Sequence, residues 1–175
     1  MNNQLQGADK LNNYWKIFQT NLDWIRVSDQ KATIILTIYG IIIPFVNSRS
    51  EELFESISEH QELLVLMGLS GIASLISMYS AFRCLTPRIF KNFRPSVIFF
   101  GSIVEQYPDD QSYLQALRKK MNSEELFEEE IAEQIYINSR VAFRKFKDVS
   151  TAIRFFALGL VFLIISIVAS ALVVH

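Results

Sequence analysis

Ionisable residues are absent from the three longest apolar stretches of this chain: residues 32–48, 63–82 and 155–174 contain no Asp, Glu, Lys, Arg or His. Pumps, proton relays and voltage sensors work through such groups inside the bilayer, so those classes lose their basis. Histidine and cysteine are nearly absent. With only His60, His175 and Cys84, the chain has no internal disulfide, no cysteine pair at metal spacing and no histidine-based triad. No glycine-rich phosphate loop, dinucleotide fingerprint or His-Glu-x-x-His motif is present either. No metal or cofactor is implied, and the chain does not read as an enzyme. The first 30 residues hold Asp9, Asp23 and Asp29 and no apolar run, so no cleavable signal peptide is expected and the first span must direct insertion.

Hydrophobicity is what the chain does have: it makes up 50% of the residues and comes in blocks. A bilayer core of about 30 Å needs about 20 residues of helix. Residues 63–82 and 155–174 meet that length. Residues 32–48 are shorter and carry Pro44, and they serve as a first span if the bilayer thins locally or Lys31 snorkels. The fold class is therefore all-α: a three-span helical membrane protein with an amphipathic N-terminal helix and a small helical region continuous with the last span. The expected divisions are 1–31 (cytoplasmic amphipathic helix), 32–48 (first span), 49–62 (external hairpin), 63–82 (second span), 83–151 (cytoplasmic helical region) and 152–174 (third span).

The net charge of −1 conceals an asymmetry. Lys10, Lys16, Arg26 and Lys31 precede the first span, Arg83, Arg88, Lys91 and Arg94 follow the second, and Arg140, Arg144, Lys145, Lys147 and Arg154 precede the third. Basic flanks stay on the cytoplasmic side, which puts the N-terminus inside and the C-terminus outside. The stretch RIFKNFR between Pro87 and Pro95 interleaves cations with phenylalanines, and beside a bilayer this suits lipid head groups better than nucleic acid. Cys84, at the end of a span among arginines, reads as an inert residue.

Residues 1–8 are polar and expected to be mobile, and from Asp9 a helix is expected with a stripe of Leu11, Tyr14, Trp15, Phe18, Leu22 and Ile25. Residues 96–104 suit either a strand or a docked helical turn. A short helix is expected over 109–121, then a break at Asn122 with Ser123 as N-cap. From there no proline occurs, and one helix is expected to continue to Val174, about 75 Å at about 1.5 Å per residue, with Gly159 its weak point. Its packing seam reads Phe127, Ile131, Ile135, Asn138, Ala142, Phe146, Val149, Ile153, and Asn138 suits a register-fixing role. Glu124, Glu125, Glu128, Glu129, Glu130 and Glu133 read as a solvated face at the positive helix end. In the second span Ser70, Ser74 and Ser77, with Gly68 and Gly71, form a small-residue face for helix packing, and a homo-oligomer is expected.

Several short motifs carry a family resemblance. Asp29-Gln30-Lys31-Ala32 enters the first span and Pro87 follows the second; Phe99-Phe100-Gly101, then Gln134-x-Tyr136, Ser139 and Lys145, precede the third. This order resembles the Pycsar transmembrane effectors over about residues 20–165. The resemblance implies a bacterial antiphage role, with the chain in the inner membrane and its external hairpin and C-terminus in the periplasm: a partner pyrimidine cyclase makes cyclic CMP or cyclic UMP, and the effector responds by impairing the inner membrane. A cyclic phosphate needs one or two cations, a pyrimidine stacks on an aromatic ring, and its polar edge suits an amide. The candidates are Arg88, Arg94, Arg140 and Arg144 for phosphate, Phe100, Tyr107 and Tyr136 for stacking, and Gln134 and Asn138 for the base. A signal received at Asn138 or Arg144 would then travel along one helix into the bilayer. The rival reading is a structural or adaptor membrane protein that binds a cytoplasmic partner through its apolar helix face. A small channel or transporter subunit is a more distant third.

Overall fold

The computed structural model describes residues 2–48, 61–87 and 96–173, with side chains over 9–48, 61–87 and 96–170. Arg88, Arg94, His60, His175 and nearly all of the expected hairpin lie outside the described residues. The described residues form helices α1 (Asn2–Ser48), α2 (Gln61–Leu85), α3 (Phe100–Gln106), α4 (Asp110–Met121) and α5 (Glu124–Val173), and no strand. Three of them, α1, α2 and α5, are long and apolar enough to cross a membrane.

α1 begins at Asn2, earlier than Asp9, and runs without a break through Pro44. Proline there removes the hydrogen bond to the Gly40 carbonyl, a loss that helices crossing a bilayer tolerate. The segment left open between strand and helix is α3, with Phe99 as its N-cap and Tyr107 as its C-cap. α4 begins where Asp109 Oδ1 accepts from the Ser112 N–H at 2.6 Å. That hydrogen bond holds the Asp109 carboxyl below the usual carboxylate range. α4 ends at Asn122, and Ser123 Oγ accepts from the Leu126 N–H at 3.4 Å to open α5.

The chain forms two compact units, one of Met1–Ile25 with Pro87–Phe143 and one of Arg26–Thr86 with Arg144–His175. α1 and α5 contribute to both. Along α5 the buried or half-buried positions Ile131, Ile135, Asn138, Ala142, Lys145, Val149, Ala152, Phe156 and Gly159 alternate steps of four and three, and Glu130, Gln134 and Ile137 are buried beside them in its first half. This is a seven-residue repeat, the period of a left-handed supercoil, and it corrects the expected seam. Phe146 and Ile153 are exposed, and Lys145 and Ala152 take the inward places. α1 follows the same rule through Tyr14, Phe18, Asn21, Ile25, Ser28, Ala32, Ile35 and Tyr39, so Leu11, Trp15 and Leu22 face outward.

In the second unit α2 packs antiparallel to α5 through a polar ladder at heptad spacing. Ser70 Oγ donates to the Gly159 carbonyl at 2.9 Å, Ser77 Oγ to the Ala152 carbonyl at 2.8 Å, and Cys84 Sγ to the Lys145 carbonyl at 3.5 Å. Donors that bond to a neighbouring helix backbone in this way are the interhelical glue available where hydrophobic driving force is absent. Ala32, Ala81 and Ala152, all fully buried, keep the three helices close around Ile35, Tyr39 and Val149.

Gly159, taken as a weak point from sequence, is a contact point. A Cβ there would lie 3.1 Å from Ser74 Oγ and 3.4 Å from the Ser70 carbonyl oxygen. Gly159→Leu is expected to force α2 and α5 apart and cost at least about 1–3 kcal/mol. The check is the thermal unfolding midpoint in detergent micelles, and an unchanged midpoint contradicts the close approach.

Candidate functional site

In the first unit, polar side chains of α4 and α5 hold the short segment that leads into α3. Ser96 Oγ accepts from the Ile98 and Phe99 N–H groups, each at 3.1 Å, which folds the backbone into a tight turn. Gln134 Nε2 donates to the same oxygen at 3.1 Å. Beside it Glu130, only 4% exposed, accepts the Val97 N–H at 2.8 Å and the Lys120 ammonium at 2.5 Å. Tyr113 closes the ring of contacts by donating its hydroxyl to the Val97 carbonyl at 3.1 Å. Ser96 and Val97 are therefore clamped by three side chains from two helices, Gln134, Glu130 and Tyr113, with Lys120 bracing Glu130. This corrects the reading of the glutamates as one solvated face: Glu130 is a buried member of the clamp, and Glu128 pairs with Lys10 at 2.6 Å.

Elsewhere in this unit Asn21 donates to Ser139 Oγ at 2.8 Å and to the Ile135 carbonyl at 3.3 Å, tying α1 to α5. The outward side of α5 carries Tyr136, 60% exposed, with the Arg140 guanidinium carbon 5.9 Å from its ring centroid. An aromatic face beside a guanidinium, one helical turn apart, offers a stacking surface and an anion partner together.

The sequence candidates are thus divided. Tyr136 and Arg140 come together; Gln134 is buried and committed to Ser96. Tyr107 packs edge-on against Tyr113 at 5.5 Å between centroids, and Phe100 is exposed at the start of α3 with its ring 4.8 Å from Phe99. Asn138 is half-buried on the inward side of α5. Arg144 is exposed and belongs to the second unit. Of the small-residue face, Ser70 and Ser77 form the ladder and Ser74 is half-buried beside Gly159, whereas Gly68 and Gly71 are exposed with open space around them.

A second polar cluster, which residue typing alone did not single out, lies in the second unit. Lys145 is 5% exposed, and its ammonium donates to Asp29 Oδ1 at 2.5 Å and to the Cys84 carbonyl at 2.8 Å. The single S–H of buried Cys84 has two carbonyl acceptors in reach, that of Lys145 at 3.5 Å and that of Ser28 at 3.6 Å. A cation on the inward register thus joins all three helices at one level, where Lys31 and Arg83 mark the end of the apolar run.

The family model described as the Pycsar effector protein domain matches residues 13–173. The chain belongs to the Pycsar effector family. Membership accords with the three membrane-length helices and places the chain in a family of antiphage membrane effectors rather than a known enzyme class. A Pycsar effector works with a nucleotide cyclase and its cyclic nucleotide signal in general terms. Comparison with curated proteins and with solved structures finds no match. Among the described residues, no three or more His, Cys, Asp or Glu gather as metal ligands would.

Proposed function

We propose that this Pycsar effector senses a cyclic pyrimidine nucleotide, cyclic CMP or cyclic UMP, made by a partner cyclase, and then impairs the bacterial inner membrane so that the infected cell stops growing before phage are released. The family match over residues 13–173 is the observation that carries the reading. Charge-free spans support action on the membrane itself, since they offer no group to carry a substrate or proton. By the distribution of basic residues, the N-terminus and residues 83–151 lie in the cytoplasm, with 49–62 and the C-terminus in the periplasm.

Tyr136 and Arg140 are the favoured contacts for the nucleotide, the ring for the pyrimidine and the guanidinium for the cyclic phosphate. Gln134 would act indirectly, by holding Ser96. Homo-oligomer formation through the outward faces of the spans, Gly68 and Gly71 among them, would assemble the membrane-damaging state. Titration calorimetry of the full chain in micelles with cyclic CMP, cyclic UMP and cyclic AMP tests the sensing step. Tyr136→Ala and Arg140→Ala are each expected to weaken pyrimidine nucleotide binding by about tenfold or more, with the fold intact. Affinity unchanged in both variants would remove this face from the site, and no binding by the unaltered chain would overturn direct sensing.

A further inference from the structure

In the second unit the apolar runs of the three helices are out of step. The Ser70–Gly159, Ser77–Ala152 and Cys84–Lys145 contacts hold α2 and α5 in one constant antiparallel register, which brings residues 63–82 of α2 level with 147–166 of α5. On α1 the Asp29–Lys145 ion pair and the Tyr39–Phe156 ring contact bring residues 32–48 level with about 148–165. α1 and α2 therefore agree on one apolar layer. The charge-free run of α5, residues 155–174, starts about eight residues later, an offset of about 12 Å. Two helices against one set the depth of the bundle, because shifting it by that much would take the exposed Leu75, Tyr79 and Phe82 of α2 and Ile34 of α1 out of the hydrocarbon.

One outward charge falls well inside that layer. Arg154 is exposed, and it stands between Ala152 and Phe156, which face the seam, so it points away from the other two helices. It lies level with Leu75 of α2 and with about Thr37 of α1, about 9–12 Å inside the edge that Lys31 and Arg83 mark. Among the described residues its side chain has no hydrogen bond, ion pair or ring contact, and the nearest acid along α5, Asp148, faces Arg83 at 3.5 Å. An ionised group in hydrocarbon is costly, and the cost is met by snorkelling or by drawing water and head groups inward. Helical side chains lean toward the N-terminus, here the basic end of α5, but an arginine reaches only about 7 Å at full stretch and part of that runs sideways. The guanidinium therefore stops short of the edge.

We infer that Arg154 binds the phosphate of a phospholipid head group drawn inward from the leaflet surface, so that the bilayer is thinned beside α5. Phosphate suits the site because a guanidinium holds it through two parallel hydrogen bonds, which water or an ester carbonyl does not offer. Lys147, exposed and seven residues earlier on the same outward line, is level with Phe82 at the edge and adds a second cation where head groups lie. Such a site needs only that the helices cross a bilayer. Its extension, that thinning at each copy begins the membrane damage proposed above, rests on the effector reading.

The full chain in nanodiscs of dimyristoleoyl or dierucoyl phosphatidylcholine, thin and thick fluid bilayers with one head group, supplies the test without a nucleotide. Arg154→Leu is expected to raise the thermal unfolding midpoint by about 2–4 °C in the thick bilayer and to leave it unchanged or lower it in the thin one. Arg154→Lys keeps the cation and should follow the unaltered chain, while Lys147→Leu, at the edge, should shift both midpoints alike. A glycosyl lipid with the same short chains carries no phosphate. There Arg154→Leu should raise the midpoint even in the thin bilayer, and added inorganic phosphate should not cancel that gain. An equal effect of Arg154→Leu at both thicknesses would overturn the inference, since the residue then does not sense depth. So would a thin glycosyl bilayer that behaves like thin phosphatidylcholine, with water as the partner, or a gain cancelled by inorganic phosphate, with a free anion as the ligand. An oligomer that changes size in Arg154→Leu regardless of thickness would place a second copy on this face, again against the proposal.

Discussion

Replacing Asp29 by alanine is expected to lower stability by about 3 kcal/mol, toward the lower end of the range for breaking a buried ion pair. The partner left behind causes the loss. Lys145 keeps its place on the inward side of α5, 5% exposed, and retains only the Cys84 carbonyl at 2.8 Å for its ammonium. The figure is kept low because 36% of the Asp29 side chain is exposed, so water moderates the interaction. Lys145→Met is expected to be milder, since a flexible apolar side chain refills the space and the partly exposed Asp29 turns to solvent. Asp29→Leu combined with Lys145→Met should recover stability to within about 1 kcal/mol of the unaltered chain, because an apolar pair of similar volume replaces the charges. Chemical denaturation in micelles supplies the comparison. If the double variant is less stable than Asp29→Ala, the cluster is not a simple ion pair and the backbone contacts of Cys84 carry the stability.

Glu130→Ala should loosen the clamp on Ser96 and Val97. The substitution leaves a buried backbone N–H and the Lys120 ammonium without their acceptor, a loss of about 2–3 kcal/mol. If the segment opens locally, hydrogen exchange at the Val97 amide should accelerate by about a hundredfold, while amides in the second half of α5 keep their protection. Glu130→Gln retains an acceptor for the Val97 N–H and should show a smaller acceleration. Equal exchange in all three proteins would mean that Tyr113 and Gln134 hold the segment without Glu130.

Helix content and the presence of three helices of membrane length were legible in the sequence, because uninterrupted apolar runs and the lack of proline after Asn122 act locally. The α4 start at Asp109 and the α5 start at Ser123 were legible for the same reason: each cap is a side chain bonding an amide three residues on. The inward register was not. Choosing seam positions by hydrophobicity favours Phe146 over Lys145 and Ile153 over Ala152, whereas the structure keeps a seven-residue repeat and pairs the lysine with Asp29. The same preference selects Trp15 and Leu22 and passes over Asn21, whose amide bonds to Ser139. A large apolar side chain at the level of a membrane is as well placed outward as inward, so residue type alone cannot decide. Glu130 was hidden for a related reason: its partners, Lys120 and the Val97 amide, lie on segments whose approach to α5 is a tertiary fact. The nearness of Tyr136 and Arg140 needed only helical spacing, and of the sequence candidates among the described residues they alone are brought together as an exposed pair.

The central claim, that a cyclic pyrimidine nucleotide turns this chain against the membrane, is tested most directly by dye release from liposomes containing the purified full chain, with cyclic CMP, cyclic UMP and cyclic AMP added separately. The account predicts release with cyclic CMP or cyclic UMP, little with cyclic AMP, and at least about tenfold more nucleotide required after Arg140→Ala. Folded, inserted protein that releases no dye with either pyrimidine nucleotide would contradict it.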